Sequence, residues 1–147
     1  MEKIKSFTVD HMTLLPGLYV SRQDLMDGFW FTTFDLRITR PNFEPVLNTA
    51  EIHTIEHLGA TYFRNYHKDR TMYFGPMGCR TGFYLIYKGK LEANDIKTDV
   101  INCFKFIESF EGDIPGASPL ECGNYLDQNL GMAKYIAKKY LKSLGEE

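Results

Sequence analysis

Two histidines and a glutamate form the pattern His-x-x-Glu-His at His53, Glu56 and His57. Residues four apart on an α-helix lie on one face about a turn from each other, so the two imidazoles can bind one ion together. This is the spacing of the inverted zincin motif, in which the histidines bind a divalent metal and the glutamate stays free to move protons. The alternative interpretation is an amphipathic helix with two histidines and an acid on its exposed face.

A metal site on this helix needs a further ligand, because catalytic sites commonly have three protein ligands and one open position. Cys122 is the most attractive candidate, since it lies in a loop rich in proline and glycine and a thiolate binds soft or borderline ions well. The alternative for Cys122 is a partly exposed free thiol. His67 follows His57 by ten residues. Helical geometry turns it about 80° away from the His57 face, so we expect a surface histidine.

The other two cysteines are predicted to have different environments. Cys79 follows the sequence Gly-Pro-Met-Gly, which is typical of a turn, and is expected in a loop. Cys103 belongs to the apolar repeat of a helix and is expected to be a small buried hydrophobic residue. Three cysteines without the spacing of a disulfide framework indicate a reducing compartment, in which each thiol is packed, reactive or metal-bound.

The elements that position these side chains are predicted to be strands and helices in irregular alternation. The pattern favours strands at 18–21, 30–39, 72–74 and 83–88, and helices at 48–68, 95–111 and 130–144. Asn48 and Glu51 resemble a capping box, so the His-x-x-Glu-His pattern lies in the first turns of its helix. Phe34, Leu36 and Ile38 alternate with polar residues, which predicts a strand with one buried face. The chain is therefore predicted to be α+β, a single catalytic domain over residues 1–147 with an antiparallel or mixed sheet packed against helices.

The composition excludes several classes of protein. The sequence is 44% hydrophobic and 14% aromatic, which is sufficient for a folded core. A net charge of -2 and a pI near 6.1, with scattered lysines and arginines, argue against a nucleic-acid partner. No apolar run of about 18 residues would span a bilayer, and the first residues lack the apolar region of a secretory signal. We therefore expect a cytoplasmic protein without a membrane partner.

Five motifs in order carry a resemblance to a known family. They are SFTVDH at 6–11, FDLR with the following RPN at 34–42, HTIEHL at 53–58, PMGCRTGFY at 76–84 and ECGNY at 121–125. The chain resembles the S-ribosylhomocysteine lyase (LuxS) family over nearly its whole length. The resemblance implies a LuxS-like metalloenzyme fold. It also implies that the thioether of S-ribosylhomocysteine is cleaved to homocysteine and 4,5-dihydroxy-2,3-pentanedione, the autoinducer-2 precursor.

The resemblance also implies roles for individual residues. The metal ligands would be His53, His57 and Cys122, holding one Fe²⁺ per subunit, for which Zn²⁺ or Co²⁺ can substitute. Glu56 and Cys79 would be the catalytic residues that transfer protons. Substrate would be bound by Ser6, His11, Arg37 and Arg64, in an active site between the two subunits of a homodimer.

One position departs from the family pattern and keeps a first alternative open, and the His-x-x-Glu-His motif leaves a second. Tyr73 stands where the family usually has an aspartate that helps to hold the amino group of the homocysteine moiety. The first alternative is a relative that binds metal but is non-catalytic or acts on an altered substrate. The second is an inverted-zincin metallopeptidase, although its third ligand is typically an acid within a much larger chain. The resemblance leaves open whether the physiological role is quorum sensing or recycling within the methyl cycle.

Overall fold

A computed structural model describes all 147 residues, Met1–Glu147. Four strands form one sheet, β1 (Gly17–Met26), β2 (Phe29–Arg37), β3 (Thr71–Pro76) and β4 (Gly82–Lys88), in the order β1-β2-β4-β3. The chain also has three helices. Helix α1 (Thr49–Tyr66) connects β2 to β3, and helices α2 (Ala93–Ser109) and α3 (Leu130–Ser143) follow β4. A short 3₁₀ helix (Lys5–Phe7) precedes the sheet. Every strand pair is antiparallel, which confirms the predicted α+β class.

Local sequence explains where α1 begins and which face it buries. The Glu51 carboxylate accepts a hydrogen bond from the Asn48 amide at 2.7 Å, as expected for a capping box. The apolar side chains Ile55, Leu58 and Phe63 are fully buried. These contacts fix the rotation of α1, so the opposite side of the helix presents the metal-binding pattern.

Close packing fixes α1 against the sheet and joins both layers in one core. A Cβ atom added at Gly59 would lie 2.3 Å from the Phe74 ring, so only glycine lets α1 approach β3 this closely. The inner face of the sheet contributes fully buried side chains such as Phe34 and Leu85. Together with the three helices they form one cluster of 23 buried hydrophobic residues, which includes Cys103 as predicted.

The outer face of β2 differs from the sequence expectation of a single buried face. Phe34 and Leu36 point into the core, but Asp35 and Arg37 on the other face are also buried, with 5% and 2% exposure. Arg37 donates hydrogen bonds to both carboxylate oxygens of Asp35, at 3.1 and 2.5 Å. A buried charge is tolerated when it is paired and hydrogen-bonded, so the alternation of apolar and charged residues here marks two buried faces.

None of the three α-helices combines the length and the apolar character needed to cross a bilayer.

Candidate metal centre

The side chains of His53, His57 and Cys122 converge at one point. The two histidines lie one turn apart on α1, and Cys122 comes from the loop between α2 and α3. One ligand atom from each residue lies within 4.8 Å of the others, and Cys122 Sγ is 3.4 Å from His53 Nε2. Of the two residues weighed as a third ligand in the sequence analysis, Cys122 and His67, the structure therefore brings Cys122 to the histidine pair.

His67 lies outside this cluster and has intermediate exposure, so it is only in part the surface histidine expected from the sequence. It follows the last turn of α1, is half-buried, and its Nδ1 lies 3.6 Å from Asp99 Oδ2. The same carboxylate oxygen accepts a hydrogen bond from the Tyr87 hydroxyl at 3.0 Å. The helical phase predicted correctly that His67 points away from the metal ligands, but it could not predict the contact with α2.

Two backbone carbonyls orient the imidazoles. His57 Nδ1 is 2.7 Å from the carbonyl oxygen of Pro115, and His53 Nδ1 is 2.9 Å from that of Asp127. A carbonyl oxygen can only accept a hydrogen bond, so in each histidine the Nδ1 atom must be the donor and must carry the ring proton. Each Nε2 then keeps its lone pair for an ion, which is the arrangement common to metal-binding histidines. The donor set and its orientation therefore fit a divalent metal.

A buried threonine fixes the end of the loop to α1. The Thr54 hydroxyl donates to Gln128 Oε1 at 2.7 Å and accepts from the Asn129 amide at 2.9 Å. Thr54 is fully buried, and Gln128 Nε2 lies 3.2 Å from His53 Nδ1. The segment that supplies the Asp127 carbonyl is thus held in place beside His53.

Glu56 lies next to the candidate ligand cluster and is not a member of it. Its Oε2 atom is 3.6 Å from His57 Nε2, and 35% of its side chain is exposed. A carboxylate at this position can reach a group bound at the ligand cluster and can exchange a proton with it.

A cavity of about 340 Å³ holds most of the other residues singled out from the sequence. Cys79, in the turn between β3 and β4, lines it together with Ser6, His11, Arg37 and Tyr84. Neither of the two cavities that Cys79 lines includes His53, His57 or Cys122. Within one chain, the thiol and the metal ligands therefore belong to two separate clusters.

The chain is similar to known proteins over almost its whole length. The model of the family described as S-ribosylhomocysteinase (LuxS) matches residues 4–147. The chain belongs to this family. Proteins named S-ribosylhomocysteine lyase are similar to it throughout. The Clostridium beijerinckii protein is 60% identical over 146 residues, 98% of this chain and 92% of the relative. That of Finegoldia magna is 57% identical over 141 residues, 96% of this chain and 90% of the relative.

In this member of the LuxS family Tyr73 lines a third cavity, of about 250 Å³. Ser6 and Tyr84 line both this cavity and the one that contains Cys79. A Cβ atom added at Gly75 would lie 2.0 Å from the Tyr73 hydroxyl oxygen, so the ring folds over a residue without a side chain. The Tyr73 phenol is thus held beside the cavity, half exposed.

Arg64 lies apart from these cavities. Its guanidinium donates hydrogen bonds to the carbonyl oxygens of Thr71 and Met72 at the start of β3, at 3.2 and 2.7 Å. It lines none of the three cavities next to Cys79 or Tyr73. The structure places Arg64 beside the strand that carries Tyr73 and does not bring it to the metal ligands.

Sequence reasoning missed three residues around Cys79, namely Asp35, Thr81 and Tyr84. Asp35 holds Arg37, the Thr81 hydroxyl lies 3.1 Å from Cys79 Sγ, and Tyr84 lines both cavities. Burial raises the pKa of Tyr84, and burial also raises that of Asp35 against the opposing effect of Arg37. The signal that could have found Asp35 and Thr81 is their place inside the motifs FDLR and PMGCRTGFY.

Proposed function

We propose that this chain is a metal-dependent carbon-sulfur lyase that cleaves S-ribosylhomocysteine to L-homocysteine and 4,5-dihydroxy-2,3-pentanedione. The observation that carries the proposal is the meeting of His53, His57 and Cys122 within 4.8 Å in a chain that matches the LuxS family from residue 4 to residue 147. The relatives named S-ribosylhomocysteine lyase reach 60% identity, so the metallopeptidase and non-catalytic alternatives have no support here.

The metal would be held by His53, His57 and Cys122, and we propose Fe²⁺, with Zn²⁺ or Co²⁺ as substitutes. A thiolate with two imidazoles suits each of these ions. When bound, the metal would supply a Lewis acid that polarises the sugar oxygens and stabilises negative charge next to them.

The reaction requires proton transfers that protein side chains must carry out. The thioether sulfur can leave by β-elimination only after the carbonyl has moved from C1 of the ribose to C3. Each move removes a proton from one carbon and returns it to a neighbouring position, so two general bases are needed in suitable places. We assign these roles to Glu56, which lies 3.6 Å from His57 Nε2, and to the thiolate form of Cys79.

The substrate would be held by polar groups of the two cavities. Ser6, His11 and Arg37 line the cavity with Cys79 and are assigned to the ribose. Arg64, next to the strand of Tyr73, is assigned to the amino-acid end of the substrate. Tyr73 offers a neutral hydroxyl where a carboxylate would attract the ammonium group, so recognition of this end relies on hydrogen bonding more than on charge.

We further propose that the enzyme is a homodimer with active sites at the subunit interface. Two observations support it: the thiol and the metal ligands form separate clusters in one chain, and the segment that lines the Cys79 cavity exposes Phe7, Met12 and Leu15 by 70%, 59% and 54%. Several large exposed apolar side chains within one short segment are what an association surface would present. Sedimentation equilibrium would report about twice the mass of one chain. A cytoplasmic location and a role in quorum sensing remain predictions.

The proposed activity is tested by following thiol release from S-ribosylhomocysteine with a thiol reagent. Glu56→Gln and Cys79→Ala are expected to lose turnover while they keep the metal, because neither residue is a ligand. Normal turnover by either variant would remove its catalytic role. Absence of thiol release by fully metallated wild-type protein would refute the substrate.

A further inference from the structure

The surroundings of Cys79 include a buried hydroxyl that the proposed mechanism does not yet use. Thr81 Oγ1 lies 3.1 Å from Cys79 Sγ, and the Arg37 Nη1 group donates a hydrogen bond to the same oxygen at 2.8 Å. Thr81 is 4% exposed and Arg37 is 2% exposed. Water therefore has little access to the hydroxyl, and its hydrogen bonds are made within the protein.

The chemistry of Arg37 determines the direction of these hydrogen bonds. A guanidinium only donates, so Thr81 Oγ1 accepts from Arg37 and keeps its own proton for another acceptor. Cys79 Sγ lies within reach of that proton, whereas Arg37 Nη1 is 4.0 Å from the sulfur. Asp35 holds Arg37 through two hydrogen bonds at 3.1 and 2.5 Å, so the guanidinium cannot turn away from Thr81.

Backbone hydrogen bonds hold Thr81 and the turn in register. The carbonyl oxygen of Thr81 accepts from the amides of Ile38 and Thr39 at 2.9 and 3.1 Å. The Met77 amide donates to the carbonyl of Gly82 at 2.9 Å and closes the turn that carries Cys79. The sulfur and the hydroxyl are therefore presented to each other by a fixed backbone.

We infer that Thr81 is a positioning residue whose hydroxyl donates a hydrogen bond to the Cys79 sulfur, orients it and stabilises its thiolate form. The inference rests on the proposed function, in which the thiolate takes a proton from a substrate carbon. In that step the S–H bond forms as the C–H bond breaks, and the electron pair of the broken bond stays on the substrate. Thr81 keeps its own proton throughout.

Other ionisable groups also face Cys79, and the test must leave them unchanged. His11, Arg37 and Tyr84 line one cavity with the thiol, Glu44 lines the other, and Arg80 follows Cys79 in the chain. Substitutions at Thr81 alter none of these charges. A difference between two variants at Thr81 therefore reports the hydroxyl group.

The experiment measures the rate at which iodoacetamide alkylates Cys79 as a function of pH in the metal-loaded protein. Cys103 is fully buried and Cys122 is a proposed metal ligand, which leaves Cys79 as the accessible thiol. Thr81→Val keeps the shape of the side chain and removes the hydroxyl, whereas Thr81→Ser keeps the hydroxyl. Only the thiolate is alkylated, so the rate follows the fraction of Cys79 that is ionised.

We expect the midpoint of the pH profile of Thr81→Val to lie about one unit higher, so that it reacts about tenfold more slowly at pH values below both midpoints, because a hydrogen bond to a charged group is lost. Thr81→Ser is expected to stay within about twofold of wild type. An unchanged midpoint in Thr81→Val, or an equal loss in Thr81→Ser, would overturn the inference. Alkylation needs no substrate, so this result stands apart from any failure of the lyase assay.

Discussion

Gly116 offers a direct test of how the loop before α3 positions the proposed metal ligands. Its φ is +73°, and a Cβ atom added there would lie 3.2 Å from His57 Nδ1 and 3.4 Å from its Cε1. These distances are tighter than ordinary van der Waals contact. In Gly116→Ala the His57 ring must move away from the methyl group, which disturbs the 2.7 Å hydrogen bond to the Pro115 carbonyl.

The size of the effect follows from the role of that hydrogen bond. Loss of an outer partner of a metal-binding histidine typically lowers metal affinity about 10- to 100-fold, which corresponds to about 1.4 to 2.8 kcal/mol. Backbone strain adds to the loss, because alanine is disfavoured at positive φ by about 1 to 2 kcal/mol. The strain destabilises the fold, whereas the contact with His57 acts on metal binding.

Gly112 supplies the matched control in the same connection between α2 and α3. Its φ is +101°, and an added Cβ atom would meet nothing within 4 Å. Gly112→Ala therefore introduces backbone strain without a contact to a ligand. Competition for Zn²⁺ against a chromophoric chelator, with both variants and wild type, measures the affinity. Equal affinities of Gly116→Ala and Gly112→Ala would refute the proposed role of the Pro115 carbonyl and Gly116.

Three further predictions concern the metal, the substrate and stability. Cys122→Ala should lose the metal during dialysis against a chelator, whereas Cys79→Ala should keep it. Metal analysis of the two dialysed proteins measures this, and equal retention would exclude Cys122 as a ligand. Tyr73→Asp should lower KM for S-ribosylhomocysteine about threefold to tenfold in steady-state kinetics, because the ammonium would then donate to an ionised carboxylate and not to a neutral phenol. An unchanged KM would separate Tyr73 from that end of the substrate. Partial burial raises the pKa of Glu44, but hydrogen bonds from the Arg40 amide and Lys139 outweigh it and hold the pKa below its usual value. A lowered pKa contributes stability that is present above the unfolded pKa and is lost as the pH falls through the folded pKa. Glu44→Gln should therefore be about 0.5 to 1 kcal/mol less stable than wild type at pH 7, and urea unfolding should show this difference shrinking as the pH falls below about 4.5. A difference that stays constant with pH would contradict this.

The part of the site on α1 follows from local sequence. The Asn48 and Glu51 cap and the apolar repeat predict the helix and its rotation, and the rotation places His53 and His57 on one face. The structure has the helix at Thr49–Tyr66, close to the predicted 48–68. Helical rise and capping act between near neighbours, so short patterns are sufficient for this prediction.

The partners that complete the site come from distant parts of the chain. The Pro115 carbonyl is 58 residues from His57, and the Asp127 carbonyl is 74 residues from His53. Backbone carbonyls carry no side-chain signal, so no sequence pattern could predict these contacts. The resemblance to LuxS selected Cys122 as the third ligand, where spacing only permitted it.

Burial on the outer face of the sheet also exceeded what the sequence indicated. Alternation in β2 predicted that Asp35 and Arg37 face away from Phe34 and Leu36, which is correct. It did not predict that both charged residues are buried. Their burial is possible because Arg37 and Asp35 form an ion pair, and this pairing depends on side-chain geometry that the alternation pattern does not contain. Strand β1 likewise runs from Gly17 to Met26, well beyond the predicted 18–21, since its polar residues are held by pairing with β2.

The central claim is tested most directly by one measurement on anaerobically purified, iron-loaded protein. Thiol release from S-ribosylhomocysteine and metal content are determined on the same sample. We expect steady release with about one metal ion per chain, since His53, His57 and Cys122 form one ligand cluster. A fully metallated protein that releases no thiol would contradict the assignment of this site to the lyase reaction.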